Sequence, residues 1–420
     1  MQKNVQKIVV MGLGYIGLPT ASMLATKGHQ VLGVDIREDV VSTINSGNIH
    51  IVEPDLDILV RSAVNSGCLK ASLTPEESDT FILAVPTPFK VTKINPKTPD
   101  ISYVEAATHT ILPFLRDNSL VILESTSPVG TTERVYAIIS EGRPELSGKV
   151  HVAHCPERVL PGNIIQELVD NDRIIGGISK EASYAARDLY KTFCNGNIYI
   201  TDARTAEMAK LTENSYRDSN IAFANELSII CDKLDINVWE LIKLANKHPR
   251  VNILTPGPGV GGHCIAVDPW FIVDAAPAEA RLIKTAREVN DSKPLWVINK
   301  VKQAVDEWHS QNPKSEIQNL KLLPTIACLG LAFKANIDDL RESPALEITR
   351  ELHASGLGKI IACEPNVNDS FMEFPLMEFD DVLLKADIFV LLVDHEEFKL
   401  VDKNRLHGKT VIDTRGIWSN

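Results

Sequence analysis

The feature that most constrains this chain is a glycine pattern near its start. Gly12, Gly14 and Gly17 form the spacing GxGxxG, directly after the apolar run Ile8–Met11 and before a helix-forming segment. In a strand–turn–helix unit the first glycine permits the turn, the second lets the backbone approach a pyrophosphate, and the third lets the helix pack closely. The pattern predicts a Rossmann-type domain that binds a dinucleotide at the N-terminus of its first helix.

An acidic residue distinguishes between dinucleotides. Asp35 ends the next apolar run, where it would bind the adenosine ribose hydroxyls and repel the 2′-phosphate of NADP. NAD is therefore the favoured cofactor. A glycine-rich turn without a nucleotide is one alternative. FAD is another, although the further segments that usually accompany FAD sites are not found in this sequence.

The first 201 residues alternate short β-rich runs with helical stretches, which is typical of a parallel sheet covered by helices on both faces. The predicted strands are Ile8–Met11, Gln30–Val34, Thr80–Val85, Leu120–Leu123, Val150–Ala153 and Arg173–Gly176. The segments 85–88 and 124–131 follow two of these strands, at the carboxyl edge where such sheets bind ligands. Their Ser, Thr and Pro residues suit a nicotinamide or ribose neighbour, and they equally suit turns and helix caps.

The middle of the chain predicts helices. Residues 202–234 contain no Gly or Pro, and a helix of that length would be roughly 45 Å long, suited to connect domains or form a dimer. Helical segments continue to about Trp308, and the polar stretch 309–320 is interpreted as a linker. A smaller α/β domain follows over residues 321–420. Its predicted elements are strands Pro324–Leu329, Lys359–Cys363, Ile388–Val393 and Thr410–Asp413 and a helix at Pro344–Ser355.

These segments define the expected organisation. We expect residues 1–201 to form an NAD-binding domain, residues 202–308 a central helical region with a cysteine loop, and residues 321–420 a second, smaller α/β domain after the linker. The fold class is α/β, with two Rossmann-like doubly wound domains joined by a long central helix and a helical dimerisation region.

Composition excludes several classes of function. The net charge is −12 and no basic tract stands out, which argues against a nucleic-acid partner. No apolar run approaches the roughly 20 residues that span a bilayer, and the N-terminal residues leave no room for a signal peptide. The seven cysteines are scattered without a CxxC pair, so neither a disulfide framework nor a zinc site is suggested, and a reducing cytoplasm fits best.

One cysteine has an unusual setting. Cys264 ends the segment 261–264, inside a glycine-rich loop and just before a helix start marked by Asp268 and Pro269. A nearby helix N-terminus would favour the thiolate, which is the nucleophilic form. Free cysteines are more often small buried apolar residues, and Asp268 has the plain alternative role of a helix N-cap.

The chain resembles the UDP-glucose/GDP-mannose dehydrogenases over essentially its whole length. The shared motifs, in order, are GLGYIGLP, ESTSPVGT, CPERVLPG, TAEMAKLTEN, GPGVGGHC with Asp268, and FKANIDDLRES. HPRVN and the sequence around Cys264 are most similar to the branch that acts on UDP-N-acetyl-D-mannosamine. The resemblance implies that residues 202–308 are a dimerisation domain, that residues 321–420 bind UDP, and that the protein is a homodimer. It also implies an active site between the two outer domains, with a UDP-sugar as substrate.

The resemblance also implies a mechanism, the NAD-dependent four-electron oxidation of the sugar at C6 with two NADH formed. Cys264 would add to the aldehyde, giving a thiohemiacetal and then a thioester. Lys210 and Asn214 would flank the reacting carbon, and their spacing independently places them on one helix face, where a solvated polar face is the alternative. Glu157 and Thr126 would position water and move protons. Asp268 would assist Cys264 or that water.

Binding roles are implied in the same way. The cofactor contacts are Gly12, Gly14, Tyr15, Ile16, Gly17, Asp35, Pro86, Thr87, Thr126 and Arg341. The substrate contacts are Glu157, Arg158, Val159, Leu160, Lys210, Asn214, Arg217, His248, Arg250, Asn252, Gly261, Phe333 and Lys334. Arg250 is a candidate to reach the partner subunit's substrate. For Lys334 and Arg341, a structural salt-bridge cluster within FKANIDDLRES is the alternative.

Further residues bear on the substrate and on metal binding. Val267 and Pro161 depart from the pattern of the UDP-glucose branch. His151 and His154 lie three apart on a predicted strand and so face opposite sides, and no metal site is predicted. The open alternatives are UDP-N-acetylglucosamine or another UDP-hexose as substrate, a single-step hydroxyacid dehydrogenase, and a non-catalytic sugar-nucleotide sensor.

Overall fold

The computed structural model describes residues 5–90, 97–160, 162–262, 265–312, 323–367 and 372–418. Its contacts divide the chain into two compact units. Unit 1 comprises Met1–Glu213 and Trp270–Pro277, and unit 2 comprises Asn214–Pro269 and Ala278–Asn420.

Unit 1 is built on an eight-stranded sheet with the order β3-β2-β1-β4-β5-β6-β7-β8. Its strands are β1 (Lys7–Met11), β2 (Gln30–Val34), β3 (Leu69–Ser72), β4 (Thr80–Leu83), β5 (Leu120–Leu123), β6 (His151–His154), β7 (Arg173–Gly177) and β8 (Ile198–Asp202). The strand order reverses between β1 and β4, and ligands of such sheets bind beyond the carboxyl ends at that point. All neighbouring strands are parallel except β6 and β7, which are antiparallel.

Helices cover both faces of this sheet. They are α1 (Gly17–Thr26), α2 (Glu38–Asn45), α3 (Leu56–Asn65), α4 (Ser102–Ile111), α5 (Thr131–Gly142), α6 (Ile164–Asp170) and α7 (Lys180–Tyr190). Alternate residues of β1 belong to different cores, since Ile8 and Val10 pack with α1, α3 and α7, and Val9 and Met11 pack with α4 and α5. This alternation is the period-two pattern of a strand buried on both faces.

Four longer or connecting helices follow along the chain. They are α8 (Ala203–Lys233), α9 (Val238–Ala245), α10 (Asp268–Ala275) and α11 (Arg281–Gln311). The prediction of one uninterrupted helix over 202–234 is confirmed by α8, which has 31 residues. The predicted linker began too early, because α11 continues through residues 309–311, and residues 313–322 lie outside the described part of the chain.

Unit 2 contains a parallel four-stranded sheet with the order β10-β9-β11-β12. Its strands are β9 (Thr325–Leu329), β10 (Lys359–Cys363), β11 (Ile388–Leu391) and β12 (Thr410–Asp413), and its sheet-covering helices include α12 (Pro344–Ser355), α13 (Phe379–Lys385) and α14 (Glu396–Lys399). Residues of α11 and α12 form the core on one face, and those of α13 and α14 form the core on the other.

The predicted fold class, two doubly wound α/β regions with a long helix between them in sequence, is confirmed. The sequence prediction missed β3 and β8, both short and partly exposed, and shifted β6 by one residue. It also assumed a fully parallel first sheet, because an apolar run has the same pattern in either strand direction. Among the described residues, no helix is both long and apolar enough to cross a bilayer.

Candidate active site

The glycine turn after β1 has the geometry that a pyrophosphate site requires. A Cβ on Gly17 would lie 1.9 Å from the Gly12 carbonyl oxygen, so only glycine lets α1 pack this closely. Gly12 has φ +91°, a conformation that favours glycine. A Cβ on Gly14 would meet nothing within 4 Å, and no side chain caps the N-terminus of α1 at Ile16. The turn therefore offers open backbone and uncapped helix N–H groups, which fit an anionic dinucleotide.

Asp35 lies just after β2 and has a structural contact that the motif did not predict. Its Oδ2 accepts a hydrogen bond from the Leu13 N–H at 3.0 Å, and its Oδ1 accepts one from the Arg37 N–H at 3.1 Å. The carboxylate thus holds the glycine turn as well as standing at the expected ribose position. Of the other predicted cofactor residues nearby, Tyr15 and Ile16 are half-buried.

The segments after β4 and β5 are brought together, as predicted for two strand ends at one edge. The Thr87 hydroxyl donates to the Thr126 carbonyl oxygen at 2.7 Å, and the Ser125 hydroxyl donates to the Val85 carbonyl oxygen at 2.6 Å. Thr87 is buried, Thr126 is half-buried and Pro86 is exposed. These hydroxyls fix the shape of the edge and leave Pro86 at the surface.

Glu157 lies after β6, and its acidic side chain is buried. Its Oε2 accepts a hydrogen bond from Arg173 Nη1 at 3.0 Å, and its Oε1 accepts one from the Arg158 N–H at 2.7 Å. The Arg158 guanidinium pairs with Glu213 at 2.7 Å. Val159 is half-buried and Leu160 is exposed, so this predicted segment passes from the interior to the surface of unit 1.

Glu124, Arg173 and Tyr190 form a buried cluster beside Glu157 that sequence reasoning did not single out. Glu124 accepts hydrogen bonds from the Tyr190 hydroxyl at 2.9 Å and the Thr20 hydroxyl at 3.4 Å. Burial raises the pKa of Glu124 to about 8. The available signal was a charged residue bordering an apolar run, since Glu124 follows LVIL and Arg173 begins RIIGG.

The predicted residues on α8 are buried, so the alternative of a solvated polar face is wrong. Lys210 and Asn214 are 9% and 5% exposed. Within unit 2, Asn214 Nδ2 donates to Asp268 Oδ2 at 2.5 Å, which brings together two residues predicted to be catalytic. Asp268 is the first residue of α10, consistent with the predicted helix start.

His263, Cys264 and Pro161 lie outside the described residues. The described part of the loop before Cys264 is nevertheless fixed by a hydrogen bond and a close packing contact within unit 2. The Gly257 N–H donates to Asn225 Oδ1 at 2.8 Å. Gly261 packs against another predicted substrate residue, because a Cβ on Gly261 would lie 2.8 Å from Phe333 Cβ.

A buried polar network anchors Asn225. Asn225 Nδ2 donates to Asn290 Oδ1 at 2.9 Å, and Asn290 Nδ2 donates to Asp218 Oδ1 at 2.8 Å. Asp218 also forms a salt bridge with Arg287, whose side chain is fully buried. Burial raises the pKa of Asp218 to about 6 despite this cation. Sequence reasoning missed the network because its members lie on two helices, α8 and α11.

The remaining predicted substrate residues are at the surface. Arg217, His248, Arg250 and Asn252 are exposed, and the Arg250 N–H donates to His248 Nδ1 at 3.3 Å. Lys334 is also exposed.

Arg341, which was predicted to contact the cofactor, forms a bidentate salt bridge with Asp339. Its Nη2 lies 2.6 Å from Asp339 Oδ2, and its Nε lies 3.0 Å from Oδ1. Arg341 therefore forms a salt bridge within the segment FKANIDDLRES, which was the alternative to a cofactor contact.

Histidine is not arranged for metal binding in the described residues. His154 is fully buried on β6, and burial lowers its pKa to about 3. Within this part of the chain, no cluster of three or more His, Cys, Asp or Glu side chains has a geometry suited to a metal ion.

Comparison with protein families identifies three adjoining matches. Residues 6–194 match the NAD-binding domain of the UDP-glucose/GDP-mannose dehydrogenase family, residues 204–292 its central domain, and residues 327–420 its UDP-binding domain. The three matches together cover most of the chain.

Individual relatives are similar along the whole chain. An NDP-N-acetyl-D-galactosaminuronic acid dehydrogenase from Ralstonia nicotianae is 56% identical, with 98% of this chain and 96% of the relative covered. A UDP-N-acetyl-D-mannosamine dehydrogenase from Escherichia coli is 53% identical, with 98% and 99% covered. The solved structure of a UDP-D-ManNAc dehydrogenase from Pyrococcus horikoshii is 40% identical with a TM-score of 0.85, covering 98% of this chain and 96% of that one.

Proposed function

Since the chain belongs to the UDP-glucose/GDP-mannose dehydrogenase family of NAD-dependent oxidoreductases, we propose that it oxidises UDP-N-acetyl-D-mannosamine at C6 to the uronate. We choose this sugar because the chain is 53% identical to a UDP-N-acetyl-D-mannosamine dehydrogenase over 98% of its length. The similar structure from Pyrococcus horikoshii, which carries the same substrate name, supports it.

A second candidate substrate is a UDP-N-acetylhexosamine that differs only in ring configuration. It is favoured by the 56% identity to the Ralstonia nicotianae protein, whose name specifies an N-acetyl-D-galactosaminuronic acid. UDP-N-acetylglucosamine is a further member of this set. The C6 chemistry is the same for all three sugars, so the choice between them concerns the sugar pocket and not the reaction.

The proposed reaction is a four-electron oxidation. The C6 alcohol loses a hydride and a proton to become an aldehyde, and Cys264 adds to the aldehyde as a thiohemiacetal. Loss of a second hydride from C6, together with the hydroxyl proton, gives a thioester. Water then breaks the carbon–sulfur bond, releasing the carboxylate and the free thiol. NAD, when bound, accepts each of the two hydrides.

The residues present fit this cofactor. The open backbone at Gly14 and the uncapped N-terminus of α1 suit its pyrophosphate, and Asp35 stands at the end of β2 to accept hydrogen bonds from ribose. Thr87 and Thr126, joined by a hydrogen bond at the neighbouring strand ends, would shape the nicotinamide side of the site.

In addition to Cys264, the proposed catalytic side chains are Lys210, Asn214, Asp268 and Glu157. Lys210 would stabilise the oxyanion that develops at C6 and help move protons. Asn214 and Asp268, hydrogen-bonded to each other in unit 2, would orient the C6 oxygen or the water. Glu157 would hold the water that hydrolyses the thioester.

The UDP-sugar would be held by residues of the central and C-terminal regions. Gly261 and Phe333 are in contact and would form part of the sugar pocket, and Lys334 would meet the phosphates. Arg341 would leave Asp339 or share it when it binds a phosphate, for which its planar guanidinium is suited. Arg217, His248, Arg250 and Asn252 complete the proposed substrate contacts.

The proposed assembly is a homodimer through the central helical region. On α8, Tyr216, Phe223 and Ile230 are spaced by seven residues and are 69%, 53% and 45% exposed in the single chain. This spacing places three large apolar side chains on one helix face, as in helices that pair. Phe223→Glu should therefore convert the dimer to a monomer in light scattering. Leu384→Glu, at a residue that is 76% exposed on α13, is the matched control and should leave the dimer intact.

The test of the function is turnover against a panel of UDP-hexoses and UDP-N-acetylhexosamines, with NADH counted per sugar. UDP-N-acetyl-D-mannosamine should give the highest kcat/KM and two NADH per sugar. One NADH with an aldehyde or ketone product would support a single-step dehydrogenase instead. The absence of NAD reduction with every sugar would support a non-catalytic sensor.

The nucleophile is tested separately by Cys264→Ser. At neutral pH an alkoxide is far scarcer than a thiolate, so this variant should lose steady turnover and keep NAD and UDP binding. Full activity would exclude Cys264 as the nucleophile.

A further inference from the structure

Arg173 reaches the active edge of unit 1 because one strand of the sheet is reversed. The antiparallel register of β6 and β7 pairs Ala153 with Gly177 and His154 with Gly176. Continuing this register beyond β6 places Glu157 opposite Arg173, the first residue of β7. If β7 were parallel to β6, its first residue would lie at the amino edge, away from Glu157.

The Arg173 side chain is fixed on several sides. Its Nη1 donates to Glu157 Oε2 at 3.0 Å, with 3% and 5% of the two side chains exposed. Its Nη2 donates to the Leu168 carbonyl oxygen at 3.1 Å. The guanidinium also lies over the rings of Tyr190 and Phe193, at 4.6 and 5.3 Å from their centroids. A guanidinium that is hydrogen-bonded through two nitrogens and packed against two aromatic rings has little freedom to turn.

The Glu157 carboxylate is in turn fixed by two donors. Arg173 occupies one site on Oε2, and the Arg158 N–H occupies one site on Oε1 at 2.7 Å. A carboxylate has about four acceptor sites, and the described part of the chain fills two of them, which leaves two for a water or a substrate hydroxyl. Both oxygens are therefore oriented without being saturated.

From this geometry we propose that Arg173 is a positioning residue, which fixes the Glu157 carboxylate so that it holds the water that hydrolyses the thioester. The inference rests on the proposed function, in which Glu157 holds that water. Arg173 itself touches neither substrate nor cofactor in this scheme. Its effect is therefore confined to the step that uses Glu157.

The neighbouring Glu124 does not compete for the cation at neutral pH. Burial raises the pKa of Glu124 to about 8, so this carboxyl group keeps its proton there and has the Tyr190 hydroxyl as a hydrogen-bond partner. The positive charge of Arg173 is then available to Glu157, its direct partner.

The experiment is rapid-quench turnover with UDP-N-acetyl-D-mannosamine and NAD, combined with intact-protein mass spectrometry. Arg173→Gln should give a rapid burst of NADH followed by a steady rate lowered about 100-fold, because a misplaced group at a reacting centre has an effect of that order. The quenched variant should carry a covalent sugar adduct. Arg173→Lys, which keeps the charge, should restore part of the rate.

Two further variants separate positioning from general structural damage. In a Glu157→Gln background, Arg173→Gln should slow hydrolysis no further, because the two residues act through one contact. Arg116→Gln is the matched control, since Arg116 is an exposed arginine paired with Glu77 and Asp79, and this variant should behave as the wild type. If Arg173→Gln does not fold, Arg173→Lys is used to test the positioning role, and this variant should accumulate more covalent adduct than the wild type.

The inference is overturned if no Arg173 variant accumulates the adduct, or if the effects of the Arg173 and Glu157 variants multiply. Failure of the proposed function has a different signature, because the wild type itself would then not form two NADH per sugar. A wild type that forms two NADH, together with adduct-free Arg173 variants, would refute only the role of Arg173.

Discussion

Glu207→Gln is the substitution whose effect on folding the structure predicts most directly. Glu207 lies on α8, is 1% exposed and belongs to unit 1. Its carboxylate accepts hydrogen bonds from the Gly130 N–H at 2.6 Å, the Thr132 N–H at 2.7 Å and the Thr132 hydroxyl at 2.6 Å. Gly130 is the N-cap of α5 and has no side chain, so Glu207 caps α5 from a distant part of the chain.

The magnitude follows from what glutamine can and cannot replace. Its one amide oxygen can still accept from Thr132, but its NH₂ group would then face the Gly130 N–H, placing two donors against each other. One charge-assisted hydrogen bond is lost, at about 1.5–3 kcal/mol, and a buried donor is left without an acceptor, at about 1–3 kcal/mol. Because these losses overlap, we expect unfolding of unit 1 to become easier by about 2–4 kcal/mol.

The assay is urea unfolding combined with hydrogen exchange measured by mass spectrometry. A chain with two units need not unfold in one step, so exchange has to locate the change. Residues 131–142 of α5 should lose protection, and β9–β12 in unit 2 should not. Thr132→Val is the control, since it removes one hydroxyl and leaves the charge, and it should destabilise by about 1 kcal/mol. A Glu207→Gln loss below about 0.5 kcal/mol, or equal deprotection of unit 2, would refute the capping argument.

Two further predictions concern buried groups whose pKa the fold shifts, Glu124 and Lys293, and a third concerns the cofactor preference set by Asp35. Folded Glu124 keeps its proton up to a pH of about 8, whereas in the unfolded chain it loses the proton near its ordinary pKa of 4.5. As the pH rises between these two values, the wild type should therefore lose up to about 1.4 kcal/mol of stability per pH unit. Glu124→Gln should remove this slope in urea titrations at about pH 5.5, 6.5 and 7.5, and parallel profiles would contradict the assignment. Burial lowers the pKa of Lys293 to about 7, so folded Lys293 is neutral between that pH and 10.5, and the wild type should gain stability as the pH rises through this range. In Lys293→Met, the stability measured by thermal unfolding should not change with pH over the same range. A slope equal to that of the wild type would exclude Lys293 as the cause of the pH dependence. Asp35→Asn keeps an oxygen that can accept from the Leu13 N–H, so the free energy of unfolding should change little. The kcat/KM preference for NAD over NADP should fall by about tenfold or more. An unchanged preference would show that Asp35 does not bind the ribose hydroxyls.

Features that depend on local pattern could be predicted from the amino-acid sequence. The glycine spacing at 12–17 predicts a close turn, and the steric reason is that a Cβ added to Gly17 would lie only 1.9 Å from the Gly12 carbonyl oxygen. The absence of Gly and Pro over 202–234 was sufficient to predict α8, because helix propensity accumulates along a segment. The buried strands were found because an apolar run bounded by turn residues is a local signal.

Strand direction and long-range polar contacts were decided only by the tertiary structure. The sequence RIIGG predicts a strand, but nothing in it specifies that β7 runs antiparallel to β6, and this direction alone brings Arg173 to Glu157. Glu207 and Gly130 are likewise separated by 77 residues. A buried charge is stable only where a partner meets it, and that partner is set by packing rather than by its neighbours in sequence. Local pattern thus determined the elements, and packing determined which polar side chains meet.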